Sequence, residues 1–180
     1  NELMDEGRGL VILYTGEGKG KTTAALGLVL RAVGYKKKCL IVQFGKAWFT
    51  GEIEGVKKLA PFVRFIQGGK GFVKILGDKL PLKEHKEAAR KTFDTLYNEV
   101  TSNSWDVVVA DEIVGAVSSG LLPESLIIDL IKDKPLRLDL VLTGHHASEK
   151  LIKMADLVTE MKEIKHPFQK GVLAKKGLDF

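Results

Sequence analysis

Thr15-Gly16-Glu17-Gly18-Lys19-Gly20-Lys21-Thr22-Thr23 is the stretch that decides the fold. Ahead of it, residues 10–14 form a continuous apolar run with β-branched members and a glycine close on either side, the pattern of a buried parallel strand. Behind it, residues 22–33 carry Ala25, Leu26, Val29, Leu30 and Val33 at helical spacing, and Gly34 is placed to stop the helix. A glycine-rich turn between a strand and a helix start is a place for anions. The first helical N–H groups have no partners within the helix and carry partial positive charge. Glycines let the backbone close around phosphate oxygens, Lys21 adds a mobile charge, and the Thr22 hydroxyl is suited to a Mg²⁺ ion beside them. A nucleoside triphosphate is the ligand this chemistry expects.

Further along, the same alternation recurs. Strands are expected at residues 39–44, 63–67, 106–111, 138–143 and 157–161. Helices are expected within 45–61 and at 82–102, 113–119, 124–132 and 148–155. In the long helix Ala89, Phe93, Leu96, Tyr97 and Val100 form the buried face. Residues 67–81 are rich in glycine and lack periodicity, which marks a functional or mobile loop. Apolar strands alternating with helices predict one mostly parallel sheet with helices on both faces, in a single domain of 180 residues whose first eight are flexible.

Composition narrows the setting. At 44% apolar the chain can bury a core without staples. The single cysteine, Cys39, excludes an internal disulfide and reads as a small buried hydrophobe, which fits a reducing, cytoplasmic setting. The opening residues show no leader pattern, and no apolar run is long enough to span a membrane. The net charge of +5 favours an anionic ligand, but the lysines are scattered, and Lys36–Lys38 reads as a solvated turn rather than a nucleic-acid surface.

Asp111 and Glu112 end the fourth strand, the edge where parallel sheets bind ligands. Either acid is placed to hold Mg²⁺ directly or through water, or to cap the helix that follows. The four histidines form no metal-binding pattern. Trp48 and Phe49, in a glycine-flanked loop, read equally well as a ligand-facing lid or a hydrophobic anchor.

Together these motifs resemble the ATP:corrinoid adenosyltransferases of the CobA/BtuR type. The loop with Thr15 in place of the usual first glycine, Arg31-Ala32-Val33-Gly34, Val42-Gln43-Phe44, Gly51-Glu52, Asp111-Glu112 and Leu142-Thr143-Gly144 are similar to that family. So is the tail, in Ala155-Asp156-Leu157-Val158-Thr159-Glu160-Met161, Lys165-His166-Pro167-Phe168, Gly171-Val172 and Gly177-Leu178-Asp179-Phe180. The resemblance covers residues 10–180.

It implies a P-loop NTPase-like (RecA-like) α/β fold and a reaction in which a corrinoid's Co(I) attacks the 5′ carbon of ATP and triphosphate leaves. Catalytic roles fall by that resemblance on Lys21, Glu112 and Phe72. Substrate contacts fall on Gly16, Glu17, Gly18, Lys19, Gly20, Lys21, Thr22, Thr23, Arg31, Phe72 and His145. Mg²⁺ (or Mn²⁺) falls on Thr22 and Glu112, with Asp111 beside them. Phe72 is the aromatic wall against the corrinoid. The resemblance also implies a homodimer and a flavodoxin-type electron donor, with neither nucleic acid nor membrane as partner.

Four features depart from the family: Lys74 stands where a tryptophan is common, His145 where the Thr-Gly turn is followed by arginine, and Lys175 where glutamine is usual, and the N-terminal extension is shorter. A RecA-like ATPase acting on nucleic acid and a non-catalytic nucleotide or corrinoid carrier are the competing readings.

Overall fold

The computed structural model describes residues 7–45, 49–69 and 81–179. Six parallel strands make one sheet: β1 (Val11–Thr15), β2 (Cys39–Gln43), β3 (Val63–Gln67), β4 (Val107–Asp111), β5 (Asp139–Thr143) and β6 (Leu157–Glu160), in the order β3-β2-β4-β5-β1-β6. Among the described residues the α-helices are α1 (Lys21–Gly34), α2 (Gly51–Lys57), α3 (Leu82–Thr101), α4 (Ile113–Ser118), α5 (Glu124–Asp133) and α6 (Glu149–Met154).

The continuous apolar runs have a simple cause: the sheet buries both faces. Val11, Leu13, Leu40, Val42, Val108, Ala110, Leu140 and Leu142 point to one side, against Phe93 and Leu96 of α3 and Ile127 and Leu130 of α5. The residues between them, Ile12, Cys39, Ile41, Val107, Val109 and Val141, point to the other, against Ala25, Val29 and Ala32 of α1. Side chains alternate across a strand, so a strand covered on both sides has no position to spare for a polar group. Cys39 is fully buried, and burial pushes its thiol up to about 11.

Two expectations about α1 need correction. Leu30 is 61% exposed, because the buried stripe runs Ala25, Val29, Ala32 and Leu30 lies off it. Gly34 does not stop the helix but is its last residue, and the left-handed position falls on Lys36 at φ 59°. Both β4 and β5 lie between β1 and β2, so α1 crosses the sheet and holds its N-terminus over the carboxyl ends of the central strands. At the sheet's far edge β6 is exposed along its whole length.

Candidate nucleotide site

The phosphate loop leaves β1 at Thr15 and is fastened at once to the segment after β6. Met161 N–H donates to the Thr15 carbonyl at 2.8 Å, and Gly18 N–H donates to the Met161 carbonyl at 2.7 Å. This fastening explains two of the glycines. A Cβ on Gly16 would lie 2.5 Å from the Met161 carbonyl oxygen, and one on Gly18 would lie 2.8 Å from the backbone of Met161 and Lys162. Thr15 replaces the usual first glycine without strain because it is still strand, in register with Glu160. Gly20, at φ 119°, turns the chain into α1. The first bond inside the helix is Ala24 N–H to Gly20 C=O, so the N–H groups of Lys21, Thr22 and Thr23 have no acceptor within it.

Lys21 is 5% exposed, and its ammonium donates to the carbonyls of Gly16 at 2.7 Å and Gly18 at 2.9 Å. Burial lowers its pKa, opposed by Glu112, Glu17 and Asp111. The charge is thus held against the loop's own backbone, within reach of any anion that settles on the helix start.

Beneath the loop lies a buried polar layer drawn from four strands. Asp111 is fully buried, and its Oδ1 accepts from the hydroxyls of Thr22 and Thr143, each at 2.8 Å. Its Oδ2 accepts from Gln43 Nε2 at 2.9 Å, and Gln43 in turn accepts from Gln67 at 3.3 Å. Thr143 also accepts from the Glu112 N–H at 2.8 Å. A buried carboxylate with this many donors is well matched, and each bond fixes the position of its donor. Glu112 sits at φ 62° ahead of α4, and its Oε2 lies over Gly115, 2.6 Å from where a Cβ there would be.

Over the loop opens a cavity of about 620 Å³. The run 17–23, Glu112 and His145 line it, so most of the expected site residues are brought together. Gly16 does not line it, but its carbonyl accepts from the Lys21 ammonium that does. Asp111 does not line the cavity itself but accepts from the hydroxyl of Thr22, which does. Arg31 is the exception: it is exposed in the last turn of α1, ten residues beyond Lys21 and so about 15 Å along the axis, and it does not line the cavity. Phe72, like Lys74 and Trp48, lies outside the described residues. Phe49 is 60% exposed.

The tail adds Glu163, His166 and residues 177–179 to the lining. Lys19 donates there to the Asp179 carboxylate and, at 3.0 Å, to the Leu178 carbonyl. Sequence reasoning gave no role to Gln43, Thr143 or Asp179. The signal for the first two was present: each is a polar residue closing an apolar strand at the ligand-binding edge.

A phosphate loop on a helix start, backed by a strand-end carboxylate in a parallel sheet, defines a P-loop nucleotide-binding protein. Residues 7–180 match the family described as ATP:corrinoid adenosyltransferase BtuR/CobO/CobP, and the chain belongs to that family. It is 36% identical over 176 residues to a corrinoid adenosyltransferase of Sinorhizobium sp., covering 96% of this chain and 81% of that one. It is 33% identical over 180 residues to a corrinoid adenosyltransferase of Escherichia coli K12, covering 99% and 89%. To the corrinoid adenosyltransferase CobA of Salmonella typhimurium LT2 it is 32% identical over 176 residues, covering 97% and 87%.

Proposed function

We propose that this chain transfers the 5′-deoxyadenosyl group of ATP to the Co(I) centre of a reduced corrinoid, cobalamin or a precursor of it, releasing triphosphate. The observation that carries the reading is the phosphate loop at the carboxyl edge of the sheet, in a chain that matches the adenosyltransferase family through residues 7–180.

The chemistry asks for little proton transfer. Co(I) is the nucleophile. Its electron pair forms the cobalt–carbon bond as the bond from C5′ to the phosphate oxygen breaks, and triphosphate departs with that bonding pair. Negative charge grows on the departing oxygens, and groups already aimed at it stabilise it most. The N–H groups of Lys21, Thr22 and Thr23, with the ammonium groups of Lys21 and Lys19, are the candidates. Lys19 must then exchange Asp179 for phosphate.

Mg²⁺ fits the donors at hand. The Thr22 hydroxyl spends its proton on Asp111, which leaves its lone pairs available to a cation, and Glu112 lines the same cavity. Among the described residues no group of three or more His, Cys, Asp or Glu could hold a metal by itself. Thr22 and Glu112 would therefore hold the ion together with phosphate oxygens and water, as is common for Mg²⁺. Once bound, the ion would neutralise charge on the leaving group. By resemblance to the family, the reading extends to Phe72 facing the corrinoid, a flavodoxin-type electron donor and a homodimer. A lone, buried Cys39 suits a reducing compartment such as the cytoplasm. Among the described residues, no helix is long and apolar enough to cross a membrane.

The test supplies ATP, Mg²⁺ and chemically reduced cobalamin, and follows the spectrum of the cobalt–carbon product together with triphosphate. Both appearing in equal amounts is the expected result. ADP and phosphate in their place point to an ATPase, and binding without turnover points to a carrier.

A further inference from the structure

His145 lines the phosphate-loop cavity beside Lys21 and Lys19, where a third positive charge could meet a polyphosphate, and histidine is the side chain whose charge changes near neutrality. The turn that carries it is fixed. It follows Thr143, which is tied to Asp111 and to the Glu112 N–H. Gly144, at φ 143°, packs so closely on α4 that a Cβ would lie 2.3 Å from the Gly115 nitrogen. Beyond it, Ala147 N–H donates to the Thr15 hydroxyl at 3.3 Å. The turn therefore holds His145 in the wall of the cavity that the run 17–23 also lines.

Its neighbours divide by charge. Lys21 and His146 oppose its protonation, while Glu17 and a backbone hydrogen bond with Gly16 favour it. Glu17 Oε2 lies 3.8 Å from His145 Nδ1, and Glu17 Oε1 lies 3.2 Å from His146 Nδ1. Glu112 lines the same cavity. Burial, the largest influence, together with Lys21 holds the His145 pKa below its ordinary value and so favours the neutral ring. A polyphosphate on the loop reverses this local balance: it covers the Lys21 charge and places several negative charges in the same cavity.

We propose that His145 is a proton-coupled phosphate contact, taking up a proton from solvent as the nucleotide binds and becoming the third cation on its phosphates beside Lys21 and Lys19. The inference rests on the nucleotide reading of the cavity and deepens it. It sets a sign for pH. The bound-state pKa lies above the free-state one, so affinity is greatest below the free-state value and is lost as pH rises through the bound-state value. Between the two, the loss approaches about tenfold per pH unit for one coupled proton. A lysine or arginine would give no such slope near neutrality.

The experiment is calorimetry of ATP binding at about pH 7.5 in two buffers of different ionisation enthalpy. Wild-type protein is expected to take up a fraction of a proton more per nucleotide than H145Q, and H146Q to take up as much as wild type. NMR titration of the His145 ring, with and without ATP, should show its pKa rising on binding. H145R should bind ATP with a flatter pH dependence than wild type. Equal proton uptake by wild type and H145Q, or loss of the uptake in H146Q instead, overturns the proposal. Failure of ATP to bind wild-type protein is a different result, because it removes the nucleotide reading of the cavity and this inference with it.

Discussion

The hydroxyl of Thr22 donates to Asp111 Oδ1 at 2.8 Å, joining the first turn of α1 to the end of β4 across 89 residues of sequence. This one bond sets which way the hydroxyl oxygen presents its lone pairs to the cavity. Replacing Thr22 with Val keeps the shape and removes the oxygen. Turnover should fall by at least about tenfold, the usual cost of disturbing a metal's surroundings. Thr22→Ser should restore most of it, and steady-state rates across a Mg²⁺ titration separate the two variants.

Asp111→Asn tests the other end. An amide cannot accept from Thr22, Thr143 and Gln43 as a carboxylate does, so at least one buried donor is left facing an N–H. The expected cost is about 1–3 kcal/mol of folding stability, read by urea denaturation, together with loss of turnover. Unchanged stability would mean that the buried layer does not depend on the charge of Asp111.

Gly115→Ala places a methyl group 2.6 Å from the present position of Glu112 Oε2 and forces that carboxylate aside. Activity should drop while the far-ultraviolet circular dichroism stays native. Gly27→Ala is the matched control. It lies within α1 with open space around it, so it should raise stability by about 0.5–1 kcal/mol and leave turnover alone.

Lys21→Ala should abolish productive ATP binding, seen as loss of calorimetric heat. Lys21→Arg should rescue it poorly, because the space between the Gly16 and Gly18 carbonyls is shaped for a compact ammonium.

Cys39 gives a prediction for alkaline pH. Its thiol is raised in the folded state from 9.0 to about 11. The stabilising contribution of the neutral thiol is complete below the unfolded value and is lost as pH rises from about 9 through about 11. Cys39→Ala should flatten this part of the stability curve, and thiol reagents at mild pH should label the native protein only as fast as it opens.

Much of the fold was legible because burial on two faces leaves a strong mark. Runs such as Val107–Asp111 admit no reading other than a covered strand, and the phosphate loop is legible because its residues are consecutive. What escaped depends on partners far apart in sequence. Asp111 could be read only as an acid able to reach Mg²⁺ directly or through water, or to cap the next helix, and nothing in the sequence showed that Thr22, Thr143 and Gln43 converge on it from three other elements. Asp179 had no visible role because Lys19, its partner, lies 160 residues away. Arg31 shares a helix with the loop, yet helical rise carries it to the other end. The end of α1 was misplaced because the preference for glycine in the left-handed region is a tendency, and here Lys36 takes that position instead.

The hydrogen bonds between the phosphate loop and Met161 also bear on how the protein is made. The ribosome releases the loop among the earliest residues of the domain, yet the backbone that holds it in shape is translated near the end. A nascent chain halted before β6 would carry every residue of the loop and still lack the backbone partners that brace it, so the braced loop can form only once Met161 has been made.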